Sequence, residues 1–485
     1  MNKPNYEKGF YKQFEELNYK LDELLKENKN QSLIIYNQNL TIDKLTKELE
    51  KSNKKNEELL LEIERLKNNN KKDSSNSSKP SSTNGFKKVI TNNREKSNRK
   101  KGGQVGHKGT TLTNQDIEKM ISNGDIDEVI EVVENKNENN KHLKPIIRYE
   151  YDIKIKRIVT KHIIYPDKLT NITNYPVTYG NNIKVIECLL NQKYMSLDGI
   201  QSFICDATNN NILTSKGSFY AWNKEIYNKF LGSEYEKIKE ELLNSLVLNV
   251  DESPIIINGE RYYLHNVSNG AHTLQYVTKH RSQEDIDEFG FLKQFKGIII
   301  HDHYMMYYNY GSDNAECNVH VLRYLNGVTE FTDHKWAKDL KDLLLEMKNA
   351  KDKYINDGKD SISVNEYDEF KERYLNILNK GQKERLNDLK KNSYKEEELK
   401  LLNRLIKYAD NHLLFLKKFF VPFSNNQAES DLRGIKIKQK TGKFRSLEGA
   451  NIYAVIKSCL STYKKNNINL YDAILKLLNN NPVLV

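Results

Sequence analysis

Apolar residues recur every three and four positions from residue 10 to residue 66, and the register never slips. The a positions are Phe14, Leu21, Asn28, Ile35, Ile42, Leu49, Asn56 and Ile63. The d positions are Phe10, Leu17, Leu24, Gln31, Gln38, Leu45, Ser52, Leu59 and Leu66, so that twelve of these seventeen sites are apolar. That period, kept over this length, predicts a coiled coil over 10–67. Asn28 and Asn56 at a positions favour a parallel dimer in fixed register, because each buried amide is best satisfied by its twin. A long helix packed on its own protein is the other reading. Further on, "IIRYEYDIKIKRIVTKHIIY" (146–165) alternates in the manner of strands and predicts a small β module within 113–180. Residues 181–240 read as mainly helical; a helix-turn-helix around 197–230 competes there with plain helix packing.

The next pattern is a meander. Leu246–Ile257, Arg261–Ser268 and Ala271–Thr278 read as strands, separated by Asn258-Gly259 and Asn269-Gly270. Asn-Gly is the strongest short hairpin signal, since both central turn positions need positive φ. A helix over 282–295 follows, then the apolar run "GIIIHD" (297–302). Right-handed crossover brings this fourth strand parallel beside the first. The expected fold is therefore α/β, with a ribonuclease-H-like core over 241–447. A helical insertion of about 319–420 interrupts it, because "WAKDLKDLLLEMKNAKDKYI" (336–355) and its surroundings read as charged amphipathic helix. Residues 448–485 complete the chain as C-terminal helices.

Composition changes this picture in two ways. The chain of 485 residues carries 77 Lys+Arg against 66 Asp+Glu, a net +11, which favours a polyanionic partner. Its four cysteines, Cys188, Cys205, Cys317 and Cys459, are far apart, so no disulfide framework or zinc ribbon is expected, and a reducing compartment fits. The polar start and the absence of a long apolar run predict a cytoplasmic protein with no membrane contact. The charge is concentrated. "NNNKKDSSNSSKPSSTNG" (68–85) is a low-complexity linker, and between Lys87 and Lys108 there are eight Lys/Arg and one acid. Within this 68–112 region Arg99, Lys100, Lys101 and Lys108 are candidates for phosphate neutralisation, or simply residues of a solvated linker.

Candidate chemistry begins with Asp251, inside the first strand of the meander, and Asp302, which ends the fourth. A lone strand aspartate more often faces water or caps a turn. Two on neighbouring strands repel unless a cation lies between them, and Mg²⁺ prefers oxygen ligands of this kind. Glu429, early in a probable helix, offers a third carboxylate, and Arg433 shares its face. Arg433, Lys436, Lys438, Lys440, Lys443 and Arg445 are six cations with no acid among them. A metal-binding carboxylate beside a phosphate-binding surface suits phosphodiester chemistry. A surface helix ion pair is the simpler reading of Glu429 and Arg433.

These motifs resemble the insertion sequence 66 family of bacterial transposases. "NNQAESDLRGIKIKQKTGKFRSLEGANIYAVIKSCLSTYKKN" resembles the family's C-terminal signature, "NVDES" and "IIIHDHY" its two aspartate motifs, and "KKGGQVGHKGTTL" its basic arm. "CNVHVLRYL" resembles its Cys-x-x-His-x-x-Arg segment, here Cys317, His320 and Arg323. The resemblance implies a DDE transposase that cuts element ends and joins their 3′-OH to target DNA. Asp251, Asp302 and Glu429 would bind Mg²⁺ or Mn²⁺, with DNA as partner and a homodimer formed through the coiled coil. It also implies a nucleoid-associated location. Cys317, His320 and Arg323 would support the site, or serve packing and helix capping. Ser446 and Gly449 also match, in a role at a helix start. One departure stands out. Family members often carry paired cysteines after the arm, whereas residues 103–187 contain none, and His142 and His162 alone cannot make a zinc site. No zinc is expected. A catalytically inactive, transposase-derived DNA-binding protein is the alternative.

Overall fold

The computed structural model describes residues 5–71, 112–134, 144, 146–163, 165, 177–388 and 394–481. In chain order the elements are α1 (Asn5–Lys71), α2 (Asn114–Asn123), α3 (Asn181–Gln192), α4 (Leu197–Ala207), α5 (Lys216–Leu231) and α6 (Glu234–Leu243). Then come β1 (Val247–Ile257), β2 (Glu260–Ser268), β3 (Thr273–Thr278), α7 (Gln283–Phe289), α8 (Phe291–Gln294), β4 (Ile298–His301) and β5 (Asp313–Glu316). The remaining helices are α9 (Asn318–Phe331), α10 (Trp336–Asn356), α11 (Val364–Asn387), α12 (Lys395–Lys407), α13 (Ala409–Lys417), α14 (Asn426–Thr441), α15 (Leu447–Lys465) and α16 (Leu470–Leu478). The fold is α/β. Its strands form one mixed five-stranded sheet in the order β3-β2-β1-β4-β5. The chain divides into two compact units. One comprises Met1–Lys87, Ile300–Tyr304 and Asn314–Asn425; the other comprises Lys88–Ile299, Met305–Asp313 and Asn426–Val485.

The second unit holds the meander. β1 pairs with β2 in register Asp251 to Asn266, and β2 pairs with β3, both antiparallel. Asn258 (φ 47) and Gly259 (φ 85) make the first turn left-handed at both central positions, as an Asn-Gly hairpin requires. The second Asn-Gly behaves differently. Asn269 Oδ1 accepts the N–H groups of Ala271 and His272 at 2.9 and 2.6 Å, so the side chain closes a longer turn and β3 begins at Thr273 rather than Ala271. The helix expected over 282–295 is broken at Gly290 (φ 76) into α7 and α8.

Helices finish this unit. Leu432 and Ile435 of α14 and Ala450, Tyr453 and Ala454 of α15 pack with Ile255, Ile257 and Leu264 in one core cluster. The outer edge of β3 is covered by α15. Gln275 N–H donates to Ser458 Oγ at 2.7 Å and Thr273 N–H to Thr462 Oγ1 at 3.0 Å, so side-chain hydroxyls stand in for a missing strand. Ser446 caps α15 by accepting Gly449 N–H at 3.0 Å, the helix-start role expected for both residues. α4 and α5 meet through Ile200, Ile204, Phe219 and Trp222.

The first unit contains α1 and the inserted helices α9–α13. α1 is one uninterrupted helix of 67 residues. Among the described residues, its apolar a and d side chains remain between 47% and 71% exposed. The insertion, by contrast, buries Trp336, Leu340, Leu343, Leu344 and Met347 of α10 against its neighbours.

The β reading of 146–165 is corrected for the residues described. Residues 146–163 form no strand, and Ile146, Ile153, Ile158 and Val159 are 80% exposed or more. Alternation marks a chain that could pair, but a strand exists only where a partner backbone accepts its hydrogen bonds. The helix α2 within the same region carries a Thr113–Asp116 capping box, a signal readable in the sequence that the β reading passed over.

Candidate active site

In the sheet-bearing second unit, β1 presents two adjacent acids to opposite faces. Asp251 is half-buried, and its Oδ1 accepts Glu252 N–H at 2.9 Å. Glu252 is committed elsewhere: its side chain is only 7% exposed, pairs with Arg281 at 2.8 Å and accepts the Tyr307 hydroxyl at 2.6 Å. The strand's two-residue period separates a carboxylate locked by a cation and a phenol from one turned to the other face.

Glu429 lies half-buried in the first turn of α14, where the helix dipole favours a carboxylate. Two residues on, Asp431 is structural. It pairs with Lys465 at 2.9 Å and accepts Thr273 Oγ1; burial pulls the Lys465 ammonium below its ordinary range. The lie of α14 along β1 is fixed at its far end. Gln439 Oε1 accepts Ile256 N–H at 2.8 Å, and Phe444 O accepts Asn258 N–H at 3.0 Å. These bonds continue the edge of β1 past the four residues of β4.

Arg433, Lys436, Lys440, Lys443 and Arg445 are exposed. Lys438 is not, which corrects its assignment to strand binding. It is 7% exposed and donates to Asn191 Oδ1 at 2.7 Å, beside the buried Glu187. The helical period turns this one lysine inward while its neighbours at 436 and 440 face solvent. Arg99, Lys100, Lys101 and Lys108 lie outside the described residues.

The first unit carries Asp302, half-buried, immediately after β4. Burial pushes His301 down to about 4, so its ring is neutral, and Nδ1 accepts His303 N–H at 3.1 Å. The Cys317 N–H donates to His301 O at 2.9 Å, and its Sγ accepts Asn425 N–H at 3.1 Å. One buried cysteine thus joins the residue before Asp302 to the segment that leads into α14. His320 and Arg323 are half-buried in the first turns of α9, with His320 N–H bonded to Cys317 O. Sequence reasoning missed Glu316, fully buried on β5, and its partner Arg404; nothing local marks two residues so far apart in the chain.

Asp251 and Glu429 in the second unit and Asp302 in the first are each half-buried, and each carboxylate is a hard oxygen donor of the kind Mg²⁺ and Mn²⁺ prefer. No described helix is long and apolar enough to cross a membrane.

Comparison with known proteins agrees with the motifs. The model of the Transposase IS66 family matches residues 188–452, from within α3 to within α15, and this span includes Asp251, Asp302 and Glu429. Residues 11–113 match a family of unknown function (DUF6444). No curated protein matches the chain. With more than half of its length matched, the chain belongs to the IS66 transposase family.

Proposed function

We propose that this transposase cuts the ends of its element and joins the freed 3′-OH to target DNA, with Asp251, Asp302 and Glu429 as the metal-binding carboxylates. The observation that carries the reading is the position of the three acids in the elements. One lies within the central strand, one directly follows the neighbouring strand, and one opens a helix packed on the first strand. With its antiparallel β1–β3 meander and β4 added beside β1, the sheet order supports a ribonuclease-H-like core.

Each group has a distinct task. The three carboxylates would hold Mg²⁺ or Mn²⁺; such ions activate an attacking water or 3′-OH and stabilise the leaving oxygen. Arg433, Lys436, Lys440, Lys443 and Arg445, exposed on and after the helix of Glu429, hold the DNA strand by its phosphates. Glu252 is held by Arg281 and Tyr307 and takes a structural role on the same strand. α1 supplies a seam, exposed among the described residues, for a parallel coiled-coil dimer, which would bring two protomers to the two element ends.

The test is cleavage and strand transfer on end-bearing DNA with Mg²⁺. Asp251→Ala, Asp302→Ala and Glu429→Ala each lose at least about a thousandfold in rate while DNA binding persists. Full activity in the two aspartate variants would falsify the assignment.

A further inference from the structure

The backbone beside Asp302 is held in an unusual conformation. His303 has φ 74, in the left-handed region that non-glycine residues adopt uncommonly, though histidine more often than most. The surroundings are identifiable. His303 Nδ1 meets Glu316 Oε1, and the Glu316 side chain is 0% exposed. Its other oxygen, Oε2, receives Arg404 Nη2 from α12 at 2.5 Å. The His303 ring also packs edge-on against Tyr408, with centroids 5.1 Å apart. The same α12–α13 corner is tied down twice more. Asn411 donates to Asn314 O at 2.7 Å, and Asn318 donates to His412 O at 2.9 Å.

A buried carboxylate is a costly way to fill space, since an apolar residue packs the same volume without desolvating a charge. Burial opposes the Glu316 charge, but the His303 bond and the neighbouring His412 and Arg404 outweigh it and hold the carboxyl well below its ordinary range. The Glu316 carboxylate is therefore charged at neutral pH.

We propose that Glu316 is a positioning residue for Asp302, and that Arg404 and Tyr408 enlist the inserted helices in setting that carboxylate for its metal ion. The inference rests on the reading of Asp302 as a metal ligand. It links the inserted helices to the backbone of Asp302 through the Arg404–Glu316–His303 chain.

The experiment uses the full-length protein. Mn²⁺ binding is titrated by the loss of the free-ion electron paramagnetic resonance signal, and cleavage of end-bearing DNA is followed against Mg²⁺ concentration. Glu316→Gln keeps the shape and removes the charge. It is expected to raise the metal half-saturation point by about 10- to 100-fold, with cleavage restored at high metal concentration. Arg404→Lys, which keeps a cation, gives an intermediate shift. A wild-type half-saturation point in Glu316→Gln overturns the proposal, as does activity lost equally at every metal concentration with unchanged Mn²⁺ affinity. If Glu316→Gln does not fold by circular dichroism, Arg404→Lys decides: an unshifted metal dependence overturns the proposal. Asp302→Ala separates the two levels. If it binds and cleaves as wild type, the ligand assignment itself fails. If it is inactive while Glu316→Gln is normal, only the positioning role fails.

Discussion

α1 and the helices of the insertion look alike as sequence and end in opposite states. Both are charged and amphipathic. α10 buries Leu340, Leu343, Leu344 and Met347, whereas α1 leaves Leu21, Leu24, Leu45 and Leu49 more than half exposed. A 3.6-residue period specifies a helix and the face it must cover; it does not specify what covers it. α10 finds α11 and α9 within the same chain. α1 has kept a strict seven-residue repeat, the period of a seam between separate helices.

The largest expected effect tests the seam. The double substitution Leu24→Lys, Leu45→Lys weakens self-association by at least about a thousandfold, roughly 4 kcal/mol, read by light scattering across a dilution series. The melting temperature of the remainder stays where it is. If the substituted protein still dimerises, α1 is not the dimer contact. Leu344→Ala does the opposite. It leaves a cavity in the insertion, costs about 3 kcal/mol in denaturant unfolding and leaves self-association intact.

Gly381→Ala sharpens the same contrast. A methyl group there would lie 2.7 Å from the buried Trp336 ring, where α11 crosses α10, so about 2 kcal/mol of stability is lost. An alanine scan of exposed α1 positions, such as Lys47, moves nothing by comparison.

The smallest effect comes from a position where burial overrides charge. Burial pushes Glu187 on α3 up to about 8, against an Asn223 hydrogen bond and the nearby Lys438. The folded carboxyl therefore keeps its proton between 4.5 and 8 while the unfolded one gives it up, so this site loses stability as pH rises through that window. Glu187→Gln removes the slope. It gains stability relative to wild type as pH rises through this window, and nothing at pH 4. A melting-temperature profile that stays parallel to wild type would show that Glu187 is not the group responsible.

The amino-acid sequence by itself determined what local chemistry can determine. The Asn258-Gly259 turn, the crossover from β3 to β4 and the helix of Glu429 were legible because turn φ angles and hydrophobic periods depend on neighbours a few residues apart. The second turn was misjudged because Asn269 uses its side chain rather than its backbone, and β5, only Asp313–Glu316, is too short to leave a period. Only the tertiary structure decided which charges are buried. Lys438 turned inward to Asn191, and Glu252 was locked by Arg281 and Tyr307. The pairing of Glu316 with Arg404 was equally beyond the local pattern, since the two meet through helix packing across the insertion and desolvation depends on every atom around a group.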